Sequence, residues 1–139
     1  MTRHRELTEA TFAAWNADDL PAWLDTLAPT GEYYTSGVFP GLQPVYQGEA
    51  ELADLWRAMH EPWETLRVDL VRYAEGDDWT VVEFRFRATG AESRASVDML
   101  FCNAARISGG RATRIFARRT FEEATEALRR EGVELAGDV

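Results

Sequence analysis

The stretch ASVDMLFCN, residues 95–103, reads as a β-strand, and the rest of the chain is read outward from it. Its residues are apolar except for Asp98 at the centre and Asn103 at the end. A buried, unpaired carboxylate costs several kcal/mol, on the order of the whole stability margin of a small domain. Asp98 is therefore either an ion-pair partner or the working acid of a pocket. Alternation over 93–107 puts Val97, Met99, Phe101 and Asn103 on one face and Ser96, Asp98, Leu100 and Cys102 on the other. Asp98 and Asn103 thus point opposite ways.

Neighbouring segments repeat the strand pattern. Strands are predicted near 65–74, 79–88, 93–107 and 111–120, separated by the turn-rich joints EGDD, TGAE and SGGR. Upstream the period changes. A first helix over roughly 4–17 places Leu7, Thr11, Ala14 and Trp15 near one face. Asp19 caps a second helix, in which Leu20, Trp23, Leu24 and Leu27 follow i, i+3, i+4, i+7, with Pro21 in its first turn and Pro29 at its end. A short β-like EYYTS and the loop GVFPGLQPVYQG lead to a third helix, about 49–60, striped by Leu52, Leu55, Trp56 and Met59. The last helix, TFEEATEALRREG, carries a Thr120/Glu123 capping box. Helices first, then antiparallel strands, give an α+β layout with helices packed on one face of a curved sheet. Such a sheet wraps a cone-shaped cavity, the default place for a small molecule.

The chain has the length of one domain, 1–139, with neither repeat nor linker. A net charge of −9 argues against a nucleic-acid partner, since phosphate repels such a surface. All 15 basic residues are Arg, which removes lysine Schiff-base chemistry and any lysine-containing phosphate loop. Cys102, His4 and His60 lie in no metal-binding spacing, so no structural zinc site and no metal cofactor is expected, while a magnesium site built from carboxylates alone stays open on this reading. No apolar run reaches the roughly 20 residues of a membrane span, and MTRHRELTEA lacks the core of a secretory signal. A cytoplasmic protein without a membrane partner is the expectation.

Over about Glu9 to Gly132 the sequence resembles the SnoaL-like branch of the nuclear transport factor 2-like (NTF2-like) superfamily. The resemblance rests on FAAWNADDLPAWLDTLAP (12–29), SGVFPGLQPVYQGEAELADLWRAMHEPWE (36–64), GDDWTVVEFRFRATGAES (76–93), VDMLFCNAARISGGRATRI (97–115) and FEEATEALRREG (121–132), in that order and spacing. It implies a cone-shaped α+β barrel, a homodimer, and cofactor-independent acid–base chemistry on a hydrophobic small molecule. Isomerisation, cyclisation, dehydration and hydrolysis all occur among such relatives. The alternative is a ligand-binding or structural dimer without turnover. Asp98 falls on the family's acidic position. Asn103 stands where the family pattern has a histidine, Ser96 where it has a second acid, Glu49 where a histidine follows glycine, and Arg118 where an aromatic closes the last strand.

The candidate catalytic residues are accordingly Asp98, His60, Arg118 and Tyr34. Asp98 is an acid/base or the ion-pair partner of Arg118, Arg85 or Arg87. His60 is a proton shuttle or a helix C-terminal partner for the dipole. Arg118 clamps an anionic substrate or pairs with Asp98. Tyr33 and Tyr34 face opposite ways, and one of them can donate to a carbonyl or enolate oxygen. Ligand contact is expected from Trp15, Trp56, Met59, Trp63, Phe101 and Asn103, and Cys102 reads as a small buried hydrophobe.

Overall fold

The computed structural model describes residues 1–92 and 95–135. Helix α1 (Arg3–Asn16) starts where the Thr2 hydroxyl accepts the Arg5 N–H, and α2 (Leu20–Asp25) where Asp19 accepts the Ala22 N–H. Strand β1 (Leu27–Tyr34) and the short β2 (Val45–Gln47) precede α3 (Gly48–His60). Strands β3 (Trp63–Glu75), β4 (Trp79–Gly90), β5 (Ser96–Ser108) and β6 (Arg111–Arg118) follow, and α4 (Phe121–Arg130) closes the order. Thr120 accepts the Glu123 N–H, while the Glu123 carboxylate reaches back to the Arg119 N–H. The Thr120 cap thus satisfies one of the orphan donors of the first turn of α4, and Glu123 ties down the chain that leads into it.

One six-stranded sheet runs β2-β1-β6-β5-β4-β3. The expected meander β3–β6 is antiparallel throughout, and Gly109 and Gly110, both at positive φ, turn β5 into β6. Two consecutive left-handed residues match the right-handed twist of a hairpin, a conformation that glycine adopts without strain.

Some expectations need correction. The second helix stops at Asp25, and Pro29 lies inside β1. The Thr26 hydroxyl donates to the Trp23 carbonyl at 2.6 Å and ends the helix, so Leu27 enters the core from a strand. Proline is accommodated because the pairing of β1 with β6 is irregular between Leu27 and Glu32, where no ladder N–H is required. β1 also runs parallel to β6, so the sheet is mixed, and β2 emerges from a segment read as loop. The strand expected from 93 is observed from Ser96; residues 93 and 94 lie outside the described residues.

The sheet has two apolar faces. The inner one, with Val82, Phe84, Phe86, Phe101 and Ile115, packs on α1, α2 and α3. Across the outer face lies α4, burying Phe121, Ala124 and Leu128 against Val81, Cys102, Ala104 and Phe116. At the sheet margin the Asn16 amide bonds both backbone groups of Val68, at 2.7 and 3.0 Å. This pins α1 to the edge strand β3 and occupies part of an otherwise open edge. No helix among the described residues is long and apolar enough to cross a membrane.

Candidate functional site

The odd face of β5 settles the cavity. Phe101, Asn103 and Ala105 look inward, whereas Cys102 and Ala104 look toward α4. Two adjoining chambers of about 50 and 60 Å³ lie between the helices and the sheet, both bordered by Phe12, Trp23, Asn103 and Ile115. Their walls are apolar almost throughout. The hydroxyls of Thr8, Thr11 and Thr26 donate to carbonyls of their own helices.

Besides the Thr80 hydroxyl, what remains polar is one pair. The Tyr33 hydroxyl donates to Asn103 Oδ1 at 3.3 Å. Burial pushes the Tyr33 phenol up to about 12, with the Asn103 hydrogen bond pulling weakly the other way, so near neutral pH it is a donor. The Asn103 amide nitrogen has no hydrogen-bond partner among the described residues, and Asn103 borders both chambers. Two N–H donors are therefore available to an oxygen acceptor in a low-dielectric site.

An aromatic wall positions this pair. Trp23 meets Trp15 edge-on at 5.8 Å and Trp56 at 5.2 Å, and His60 stacks on Trp56 at 3.9 Å. The Trp56 indole N–H donates to Asp18 at 3.3 Å. Beyond Phe39, Met59 and Phe86 the inner chamber meets an open apolar groove of about 560 Å³. Phe39 sits on a loop with positive φ at Ser36, Gly37 and Gly41, and its ring lies 4.5 Å from that of Phe101.

Of the ten residues proposed from sequence, the structure brings Trp15, Met59 and Asn103 to the inner chamber. Trp63 and Phe101 line the outer groove, and Trp56 stands behind Trp15 and Trp23. The four catalytic candidates lie elsewhere. Asp98 is on the outer face, half-exposed, in a two-pronged pair with Arg85 at 2.7 and 2.9 Å. The hydrogen bonds from Arg85 hold its carboxyl below the usual carboxylate range, so it is ionised and spoken for. Solvent screens such a pair, and its contribution to stability is small.

His60 has Nδ1 3.0 Å from the Trp56 carbonyl and Nε2 3.3 Å from the Trp15 carbonyl. A neutral imidazole donates to one of these two carbonyls, and the ring sits between the C-terminal ends of α1 and α3. Arg118 leaves β6 on the α4 side, bonding Ser36 and the Ala117 carbonyl. Burial and the neighbouring Arg130 lower its pKa. Tyr34 is also outside, stacked on Phe116 at 5.0 Å and accepting from Arg114 at 2.7 Å. Its neighbour Tyr33 is the tyrosine of the cavity. Buried Cys102 has its thiol pushed up to about 12, chiefly by burial, and is chemically quiet.

Trp23 and Phe39 were not foreseen as cavity walls, and Tyr33 rather than the named Tyr34 borders the inner chamber. Tyr33 was within reach: in β1, a buried Tyr33 beside a half-buried Tyr34 follows ordinary strand alternation. Among the described residues no group of three or more His, Cys, Asp or Glu is placed to hold a metal ion.

Comparison with known proteins agrees with this architecture. No curated protein matches the sequence. An NTF2-like protein of unknown function from Burkholderia pseudomallei superposes with a TM-score of 0.77 at 23% identity, covering 91% of this chain and 97% of that one. The protein TerC, co-crystallised with polyporic acid, gives 0.75 at 17% identity over 92% and 99%. A protein with a ketosteroid isomerase-like fold from Catenulispora acidiphila, in complex with trimethylamine, gives 0.71 at 15% identity over 81% and 84%. At these identities the likeness shows the fold alone. The family model described as SnoaL-like domain matches residues 8–115, and the chain belongs to the SnoaL-like family.

Proposed function

We propose that this chain binds a small apolar molecule through an oxygen acceptor held by the Asn103 amide N–H donors, with Tyr33 orienting that amide. The observation carrying the reading is that hydrogen-bonded pair, with Asn103 bordering two largely apolar chambers and Tyr33 one of them. No carboxylate or imidazole lines either chamber, so acid–base turnover by Asp98 or His60 has no geometric support. The size of the chambers limits the occupant. A dry apolar cavity of about 150 Å³ holds benzene, and these two together come near that scale. A small ketone or phenol fits, or the oxygen-bearing tip of a larger molecule whose body rests in the groove. That relatives of this fold were crystallised with polyporic acid and with trimethylamine is consistent with small-molecule binding.

The test uses cyclopentanone and its hydrocarbon counterpart methylcyclopentane. Asn103→Leu is expected to weaken ketone binding by about tenfold, the worth of one buried hydrogen bond, and to leave the hydrocarbon unaffected. Equal responses of the two probes would count against the proposal. The homodimer implied by the family resemblance belongs to the same proposal. Light scattering at micromolar concentration checks it, a dimer mass supporting it and a monomer mass contradicting it.

A further inference from the structure

Strand β5 outruns its neighbour. Its pairing with β6 ends at Cys102 opposite Arg118, so Ser96–Phe101 have β4 on one side only. The groove of about 560 Å³ opens beside this segment, between it, the Val38–Leu42 loop and the end of α3. That volume falls in the range of ordinary small-molecule sites. Met99 and Leu100, 48% and 51% exposed, are adjacent large apolar residues on its rim. Contiguous exposed apolar surface of this kind marks a binding site more often than chance.

One charge lines the groove. Arg119 borders it, and its guanidinium makes no hydrogen bond or ion pair with the described residues. The nearby Glu123 carboxylate is committed to the backbone N–H of Arg119 at the start of α4. By contrast Arg5, Arg57, Arg67, Arg85, Arg87 and Arg114 all face carboxylates. On a chain of net charge −9, an unpaired cation beside an apolar trough selects an apolar body with a single negative head. Lying at the edge of a low-dielectric surface, such a contact is stronger than one made in open water.

We propose that this groove binds an amphipathic monocarboxylate, with its apolar body along Trp63, Phe101 and Leu100 and its carboxylate on Arg119. The groove adjoins the inner chamber, sharing Phe39, Met59 and Phe86 with it, but the contact on Arg119 does not use the Tyr33–Asn103 pair. Calorimetric titration with 4-phenylbutyrate and with its uncharged amide tests the assignment. Wild type is expected to bind the carboxylate on the order of fivefold tighter than the amide. Arg119→Gln removes that preference by weakening the carboxylate alone, and Leu100→Asp weakens both probes. Arg111→Gln, which deletes an exposed arginine elsewhere on the surface, leaves both unchanged. Equal binding of acid and amide by wild type, no binding of the acid at millimolar concentration, or an unaltered preference in Arg119→Gln would each overturn the proposal. An effect of Arg111→Gln equal to that of Arg119→Gln would overturn it too, because the preference would then follow net charge rather than place.

Discussion

Replacing Trp23 by alanine is expected to lower unfolding free energy by about 3–5 kcal/mol, the cost of deleting a fully buried indole. Trp23 is 1% exposed, packs against Trp15 and Trp56, and borders both inner chambers. Little can collapse into the space it leaves. Its helix α2 is a short segment between the Asp19 cap and the Thr26 stop, while the facing Trp56 is fixed by its bond to Asp18. Transfer and cavity terms then add, against a total stability of roughly 5–15 kcal/mol for a domain of this kind. Urea denaturation measures the loss. Val71→Ala, at an exposed bulge position of β3, is the control and should change stability by at most about 0.5 kcal/mol. A loss below about 1 kcal/mol for Trp23→Ala would mean that the aromatic wall is not the keystone of the helical layer.

High pH is expected to destabilise the fold steeply. Tyr33 is raised from 10.0 to about 12 by burial. Tyr73 is raised equally, by burial and then by its hydrogen bond to Glu75. Cys102 is raised from 9.0 to about 12 by burial and the acids near it. In the unfolded chain these groups release their protons near the ordinary values, while the folded chain retains them. Across that window the folded state binds more protons, and stability falls as pH rises. Its contribution is complete below about pH 9 and is lost progressively toward pH 12, with Tyr33 alone accounting for about 3 kcal/mol. Denaturation midpoints measured from neutral pH upward should stay level to about pH 9 and then drop. Tyr33→Phe should shallow the drop, and a level midpoint through pH 11 would contradict the burial of these groups.

Much of the fold was legible because periodicity and turn chemistry agreed. The period-two run from Trp79 through Arg118 and the Gly109–Gly110 turn need only local information. Asp19 and Thr120 mark helix starts by their own side chains. Asp98 shows where that reading ends. Alternation established that Asp98 and Asn103 face opposite ways, yet both faces of β5 carry apolar residues. The even face is apolar because α4 buries Cys102 and Ala104, so composition alone did not say which face met the helices. That was decided by tertiary packing, which left Asp98 beside Arg85, past the reach of α4. The two readings of His60 stayed open for a related reason. Its helix-end position was visible, but the second carbonyl, from Trp15, arrives from a distant helix. The asparagine at the family's histidine position was noticed as a missing proton carrier, whereas in the cavity it accepts from Tyr33 and borders both chambers.

The central claim is that the chemistry of this chain lies at Asn103 and Tyr33, inside the cone, and not at Asp98 on its outer face. Titrating isotope-labelled protein with cyclopentanone, while following the Asn103 side-chain amide by NMR, tests this most directly. The account predicts that both Asn103 amide proton resonances move with ketone concentration, while the backbone amides of Arg85 and Asp98 stay in place. Shifts centred on Arg85 and Asp98, with the Asn103 amide silent, would contradict it.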